Sequence, residues 1–151
     1  VLRAAAPLFV VLLANHADEF TPGGEAACAR LVDAGIPMLG QSVLLRNVND
    51  DVESLERLMR RFVENRIKPY YLHQADRANG TAHLRTTVEQ GQVLTADLRG
   101  RVSGICQPDY VLDVPGGHGK SPIGQSYVRK RDDGRVEVRD YLGCWHPYET
   151  T

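Results

Sequence analysis

The sequence predicts an α/β fold in which a parallel sheet of βα units is followed by a β-hairpin at the carboxyl end. Two observations lead to this prediction: apolar strand-like runs alternate with helix-like segments, and strand-type alternation around an Asp-Gly turn begins only after residue 125. The 151 residues, 42% of them hydrophobic, suffice for one core but not for two comfortable domains. We therefore expect an α/β unit over residues 1–125 and a hairpin extension over residues 126–151.

The first βα unit follows from an apolar run and a helix start signal. Residues 8–13 are continuously apolar, which is typical of a buried parallel strand. Thr21-Pro22 can begin a helix that runs to Asp33 and stops at Gly35. The second strand is expected at residues 41–45.

The second and third units continue this alternation. Asn49 or Asp50 can cap a helix whose apolar residues recur at helical spacing up to about Arg66. A third strand over residues 67–73 is followed by a long polar loop, residues 74–86, and a helix over about residues 87–98. Loops of this length at the carboxyl ends of parallel strands are often functional.

A glycine-rich loop then presents one lysine. Residues 109–113 predict a strand, and Val-Pro-Gly-Gly-His-Gly leads from it to Lys120. A P-loop would need glycine where Val114 stands, and Pro115 and Pro122 also disfavour that motif. Without further context, a covalent amine and a solvated lysine on a glycine turn are both open interpretations. Residues 126–130 and 136–141 then alternate around Asp-Gly as a hairpin.

Composition favours a small-molecule partner. Eighteen basic and nineteen acidic residues leave a formal charge of −1, which gives no electrostatic support for binding nucleic acid or an anionic membrane. The apolar run at residues 7–14 is far shorter than the roughly 20 residues that span a bilayer. Three scattered cysteines suit reduced thiols, so we expect a cytoplasmic protein.

Several polar side chains follow the predicted strands at their carboxyl ends. Three or four parallel strands do not close a barrel, so we expect further βα units upstream and an uncovered sheet face. Such a face also predicts a homo-oligomer. The strand-end residues are Asn15, His16, Gln41, His73 to Asp76, Asp113 and Lys120.

Three stretches carry a family resemblance. Residues 40–50, 69–76 and 113–120 resemble the carboxyl-terminal half of the lysine 2,3-aminomutase family. The resemblance implies the second half of a partial (βα) TIM-like barrel of the radical S-adenosylmethionine type. It further implies pyridoxal phosphate, S-adenosylmethionine and a 4Fe-4S cluster as cofactors, and lysine as substrate. In the full-length protein, an adenosyl radical would drive 1,2-amino migration that interconverts L-lysine and β-lysine.

The resemblance also implies roles for individual residues. Lys120 matches the lysine that forms the Schiff base with pyridoxal phosphate, and this is the predicted catalytic residue. Asp76 and Asp113 match two carboxylates that grip the side-chain ammonium of lysine. His73 belongs to the same substrate site, and Gln41 matches a glutamine near the adenosyl cofactor.

Asn15 and His16 are a less complete match to the adenosyl site. They fall in the family's His-X-Asn-His-Pro stretch, but Leu13 and Ala17 replace its first and last residues. We expect Asn15 and His16 to be cofactor-binding residues, although His16 could equally be an ordinary loop histidine.

Two alternatives stay open. His73 stands where aminomutases acting on free lysine tend to carry Tyr. At this position the chain resembles relatives that modify a lysyl group of elongation factor P. Asp113 and its Pro-Gly-Gly context favour free lysine instead. His118 could contact the cofactor or only pack within its loop.

The radical-generating motif is absent from this sequence. No Cys-x3-Cys-x2-Cys trio exists among Cys28, Cys106 and Cys144, and Asp51 replaces a zinc-binding cysteine of some relatives. We therefore predict no metal ligands in this chain and expect it to be inactive alone. It could also be a non-catalytic remnant that retains a lysine pocket.

Overall fold

The computed structural model describes residues 7–149, which form an α/β unit and a small antiparallel sheet. Short 3-10 turns at Ala17–Glu19, Ala82–Leu84 and Gly104–Cys106 join some of the elements. In chain order the strands and helices are β1 (Val10–Leu13), α1 (Pro22–Asp33), β2 (Met38–Leu44), α2 (Val52–Glu64), β3 (Lys68–Gln74), α3 (Val88–Arg101), β4 (Asp109–Asp113), β5 (Lys120–Pro122), β6 (Val128–Lys130), β7 (Val136–Arg139) and β8 (Trp145–Tyr148).

The main sheet has the strand order β1-β2-β3-β4-β5. Strands β1 to β4 are parallel, and each of the three crossovers between them contains a helix, as the sequence predicts. The parallel strands place their carboxyl ends along one edge, so the side chains that follow them are brought together. Strand β5 runs antiparallel to β4 and was not predicted, because Lys-Ser-Pro carries no strand signal of its own.

One face of the main sheet holds the core. Helix α2 supplies Leu55, Leu58 and Phe62, none of which has any exposed surface. The Phe62 ring lies directly over Gly40 of β2, where an added Cβ would come within 2.6 Å of the ring. The helix therefore packs close to the sheet because residue 40 has no side chain.

The opposite face of β1 is open in the structure. Val11 is 50% exposed and Leu13 is 56% exposed, while Val10 and Leu12 pack against the core. This agrees with the expectation of an uncovered sheet face. Within residues 7–149 no helix is long and apolar enough to cross a bilayer.

The carboxyl-terminal extension is larger than the predicted hairpin. Strands β6 and β7 pair around the Asp-Gly turn as expected, and β8 adds a third antiparallel strand beside β7. Strand β8 contains Pro147 and is an edge strand, where a missing N–H costs no ladder bond. The separation into residues 1–125 and 126–151 stays a prediction.

The cap of α2 differs from the prediction. Asp51 caps the helix, since its carboxylate accepts from Ser54 N at 2.8 Å. Asn49 is instead fully buried, and its amide donates to the carbonyls of Asn15 and Val43 at 2.8 and 2.9 Å. Asp50 caps the preceding turn by accepting from Asn47 N. Asn49 does not cap the helix because its side chain forms hydrogen bonds that join the ends of β1 and β2.

Candidate functional site

The predicted lysine lies at the start of β5, opposite the last residue of β4. Asp113 and Lys120 are direct partners in the antiparallel ladder, so their side chains lie on the same side of the sheet. The loop between them is closed by Val114 N donating to Gly119 O at 2.8 Å. Gly116, Gly117 and Gly119 all have φ between 80° and 92°, a conformation that favours glycine. The glycines therefore shape a tight connection that fixes Lys120 beside Asp113.

Lys120 and Asp113 form an ion pair. Lys120 Nζ donates to Asp113 Oδ1 at 2.7 Å, and the two side chains are 42% and 39% exposed. The hydrogen bond from Lys120 lowers the pKa of the Asp113 carboxyl below its usual value. Asp113 is therefore ionised near neutral pH. Because both partners are partly exposed to water, we expect the pair to contribute little to the stability of the fold.

His73 contacts the other oxygen of Asp113. Its Nδ1 lies 3.4 Å from Asp113 Oδ2, and the residue is only 7% exposed. Burial lowers the pKa of His73 below its usual value, so the ring is neutral near pH 7. The Nε2 atom is buried and has no hydrogen-bond partner among residues 7–149. A neutral ring that carries its proton on Nδ1 would face Asp113 with that proton.

Two adjoining cavities open at this edge of the sheet. The first, of about 330 Å³, is lined by Gln41, His73, Asp76, Asp113 and Lys120 together with further polar and apolar side chains. The second, of about 630 Å³, lies between the glycine loop and residues 76–78, and it shares Asp76 and Asp113 with the first. The structure thus brings together five of the seven residues that the sequence predicts for the site.

Asn15 and His16 do not line either cavity. Asn15 Oδ1 accepts from Val43 N at 2.8 Å, which ties the end of β1 to β2. His16 caps the 3-10 turn that follows it, where its Nδ1 accepts from Asp18 N at 3.3 Å. Both side chains accept hydrogen bonds from backbone N–H groups in the structure. Their role in binding the adenosyl cofactor stays a prediction.

His118 belongs to the glycine loop and is exposed. Its ring packs against Gly116, where an added Cβ would lie 3.1 Å from Nε2. The residue does not line either of the two cavities. Of the two roles considered for His118, packing within the loop is the one that the geometry favours.

Sequence reasoning missed a buried polar link behind the site. Gln74 is 7% exposed and donates to Thr86 O at 2.8 Å, while its Oε1 accepts from the Tyr110 hydroxyl. Burial raises the pKa of Tyr110 well above its usual range. Helix α3 approaches this hydroxyl at Gly91, where an added Cβ would lie 2.0 Å from it. A glycine inside a helical pattern was the one available signal.

Lys120 differs in position from the other lysines of the sequence, Lys68 and Lys130. Lys68 lies at the amino end of β3, and its Nζ donates to the carbonyls of Pro69 and Gln107 at 2.7 Å each. Burial lowers the pKa of Lys68, but these two hydrogen bonds hold the ammonium. Lys130 is exposed on β6. Neither of these two lysines lines the cavities at the carboxyl edge.

Comparison with known proteins identifies the family. The family model described as "Lysine-2,3-aminomutase" matches residues 95–150. The chain is 40% identical to the L-lysine 2,3-aminomutase of Fusobacterium nucleatum subsp. nucleatum over 148 residues, which are 98% of the chain and 35% of that protein. It is also 40% identical to the L-lysine 2,3-aminomutase of Clostridium subterminale over 148 residues, 98% of the chain and 36% of that protein. The chain belongs to the lysine 2,3-aminomutase family.

The chain spans about a third of the length of these curated relatives, to whose carboxyl-terminal part it corresponds. One further relative is named for another substrate. The glutamate 2,3-aminomutase of Clostridioides difficile is 33% identical over 143 residues, 95% of the chain and 34% of that protein. Proteins named for lysine and for glutamate thus resemble this chain, so the comparisons alone do not identify a substrate for it.

The cysteines of this family member do not form a cluster site. Across residues 7–149 no group of three or more His, Cys, Asp or Glu side chains is arranged to hold a metal ion. Cys28 and Cys106 are buried, and Cys144 is exposed immediately before β8. The described residues therefore do not fit an iron-sulfur cluster.

Proposed function

We propose that this chain is the carboxyl-terminal part of a lysine 2,3-aminomutase that interconverts L-lysine and β-lysine. The observation that carries the proposal is the convergence of Lys120, Asp113 and Asp76 on one edge of the sheet, around adjoining cavities. An amine for covalent attachment and two carboxylates for a cationic side chain are what such a reaction needs from this part of the protein.

The residues present fit the attachment of pyridoxal phosphate. Lys120 is part-exposed and lines the 330 Å³ cavity, and the 630 Å³ cavity beside the glycine loop adds room for a ring. When bound, pyridoxal phosphate supplies an aldehyde that holds the migrating nitrogen, while S-adenosylmethionine and a 4Fe-4S cluster elsewhere in the full-length protein supply the radical. The cluster would need residues outside the described part of this chain.

The protein's own side chains bind and orient the substrate. Asp113 and Asp76 would accept hydrogen bonds from the side-chain ammonium of lysine, and these charge-assisted bonds would fix the length of the side chain that fits. His73 would orient Asp113 through Nδ1 while staying neutral. Lys120 would contribute its amine nitrogen and must give up its present ion pair with Asp113 to do so.

The adenosyl side of the site is proposed from Gln41. Its side chain lines the 330 Å³ cavity at the carboxyl end of β2. We also propose Asn15 and His16 as adenosyl contacts, on the family resemblance. These two would have to exchange their present hydrogen bonds to Val43 and Asp18, or contact the cofactor through other atoms.

The charge of the cavity supports lysine over glutamate as the substrate. Asp76 and Asp113 both line it, and two carboxylates would repel a carboxylate side chain. A second candidate function is modification of a lysyl group on elongation factor P, which the histidine at position 73 favours. Asp113 and its glycine loop support free lysine instead. Conversion of free L-lysine by the full-length protein would separate the two.

The open sheet supports the barrel and oligomer parts of the proposal. We propose that upstream βα units extend the sheet at β1, which is an edge strand with Val11 and Leu13 exposed. The full-length protein would be a cytoplasmic homo-oligomer with reduced cysteines. Gel filtration of the full-length protein tests the oligomer, and a monomer would contradict it.

Borohydride trapping tests the attachment of the cofactor. We expect pyridoxal phosphate incubated with this chain to be reduced onto Lys120, with the site found by peptide mass spectrometry. Lys120→Met should lose the label, while Lys68→Met and Lys130→Met should keep it. Absence of label from a folded sample, or label on Lys68 or Lys130 alone, would contradict the proposed cofactor site. A chain that failed this test while still binding lysine would be a non-catalytic remnant.

A further inference from the structure

In the structure, the carboxylate of Asp113 is already bound to an ammonium group. That group belongs to Lys120, whose Nζ lies 2.7 Å from Asp113 Oδ1. The side chain of Lys120 carries the same four-carbon stem and ammonium as the side chain of a lysine substrate. The protein's own lysine therefore occupies the position at Asp113 that the proposed substrate needs.

We infer that Lys120 is an internal competitor of the substrate. The side-chain ammonium of a cationic amino acid can bind Asp113 only when the amine of Lys120 has left it. The inference rests on the proposed function, because it takes Lys120 as the cofactor lysine and Asp113 as part of the ammonium clamp. It adds an order to binding, in which the aldehyde cofactor takes Lys120 before the substrate ammonium reaches Asp113.

The backbone keeps Lys120 in this position. Asp113 and Lys120 are paired in the β4–β5 ladder, and the loop between them is closed by the hydrogen bond from Val114 N to Gly119 O. The two side chains therefore start from opposite positions on neighbouring strands, where contact costs little chain entropy. The ion pair follows from the ladder register and needs no ligand to form.

The second oxygen of Asp113 does not offer an alternative position. Asp113 Oδ2 faces His73 Nδ1 at 3.4 Å, and His73 is held in the sheet with 7% exposure. Asp76 lines the same cavity, is exposed, and forms no ion pair with any residue in the described part of the chain. With Lys120 in place, a substrate ammonium would thus meet one free carboxylate instead of two.

Attachment of the aldehyde would withdraw the competing group. Lys120 would supply its amine nitrogen for a double bond to the aldehyde carbon, with the aldehyde oxygen leaving as water and the proton of the ammonium passing to solvent. Asp113 would then lose its present partner and become available to the substrate. Because coupling between two sites is reciprocal, a cationic ligand that displaces Lys120 should in turn favour attachment of the aldehyde.

Calorimetry with L-lysine on the cofactor-free chain tests this inference without any catalysis. The comparison uses wild type, Lys120→Met, Asp113→Asn and the double variant, with Lys130→Met as the matched lysine control. We expect L-lysine to bind Lys120→Met about fivefold more tightly than wild type, the size typical of releasing a part-exposed ion pair. Lys130→Met should bind like wild type, and the double variant should lose the gain.

Norleucine is the matched ligand control, because it has the alkyl side chain of lysine without the side-chain ammonium. Its affinity should be the same for wild type and Lys120→Met. Lys120→Gln repeats the test with a polar side chain, and circular dichroism checks that each variant is folded. Equal lysine affinity in wild type and Lys120→Met would overturn the inference. So would a gain that persists in the double variant, or no lysine binding by any of them.

Failure of this inference is distinguishable from failure of the proposed function. Borohydride labelling of Lys120, with equal lysine affinity in wild type and Lys120→Met, would support the cofactor site and contradict the competition for Asp113. A gain in lysine affinity with no labelling of Lys120 would support the competition for Asp113 and contradict the cofactor site.

Discussion

The two faces of the main sheet differ in what their side chains do. On the helix-covered face, Leu44 is fully buried, as is Phe62 of α2. The missing side chain of Gly40 lets α2 pack close to the sheet. On the opposite face at the carboxyl edge, Asp113 and Lys120 remain 39% and 42% exposed and interact mainly with each other. Stability should therefore depend on the first face and chemistry on the second, and substitutions on each can test this separation.

The largest effect is expected from Phe62→Ala. The ring is fully buried and meets Phe20 edge-on at a centroid distance of 5.2 Å. Its removal should lower the free energy of unfolding by about 3–5 kcal/mol, measured by urea denaturation. Phe9→Ala is the control, because Phe9 is 61% exposed and should change stability by less than about 0.5 kcal/mol. Similar losses in both variants would show that the core is not where we place it.

A smaller loss is expected from Gly91→Ala. The new Cβ would lie 2.0 Å from the Tyr110 hydroxyl, so this group must move away from Gln74. We expect a loss of about 1–3 kcal/mol in the free energy of unfolding. Gly23→Ala in α1 is the matched helical control, since nothing lies within 4 Å of its added Cβ. Gly91→Ala with unchanged stability would contradict the close contact between α3 and β4.

His73 should make stability depend on pH. Burial lowers its pKa in the folded state, so the unfolded chain binds a proton first as the pH falls below about 6.5. Stability should be complete above that pH and should decrease between it and the lower folded-state pKa. His73→Gln should remove this slope in urea midpoints measured from pH 7.5 to 5.5, whereas the exposed His118→Gln should retain it. An unchanged slope in His73→Gln would refute the assignment.

The smallest effect on stability is expected from Lys120→Met. Its ion pair with Asp113 is partly exposed, so the midpoint in the same urea measurements should scarcely change. The same substitution should abolish cofactor labelling and increase lysine affinity. Such a residue would affect folding very little but would control both cofactor attachment and lysine binding, as we expect for the face that carries the site. A loss of several kcal/mol would instead make Lys120 a structural residue.

The elements with a strong periodic signal were predictable from the sequence. The apolar run of β1 and the helical spacing in α2 depend on local pattern, and both elements form close to where we expected them. The convergence of Asp76, Asp113 and Lys120 was predictable because parallel strands share one carboxyl edge. Strand β5 was not, because three residues become a strand only through pairing with β4.

The buried hydrogen bonds were beyond sequence reasoning. Asn49 reads as a helix cap, yet it is buried and joins the ends of β1 and β2, since its partners lie 34 and 6 residues away. The link between Gln74 and Tyr110 likewise spans 36 residues. Such pairs depend on the distance between side chains in space, which the order of residues along the chain does not reveal.

The hydrogen bond from Gln74 to Thr86 restricts the segment that carries Asp76. It joins the two ends of the segment that carries Asp76, and Leu84 O is also held, by Arg46 N at 2.8 Å. The loop is therefore closed where it leaves the sheet, and Asp76 lies only two residues after Gln74, which forms the closing hydrogen bond. This short connection should limit how far the carboxylate of Asp76 can move relative to the end of β3, so a ligand in the cavity would meet it in nearly the same place.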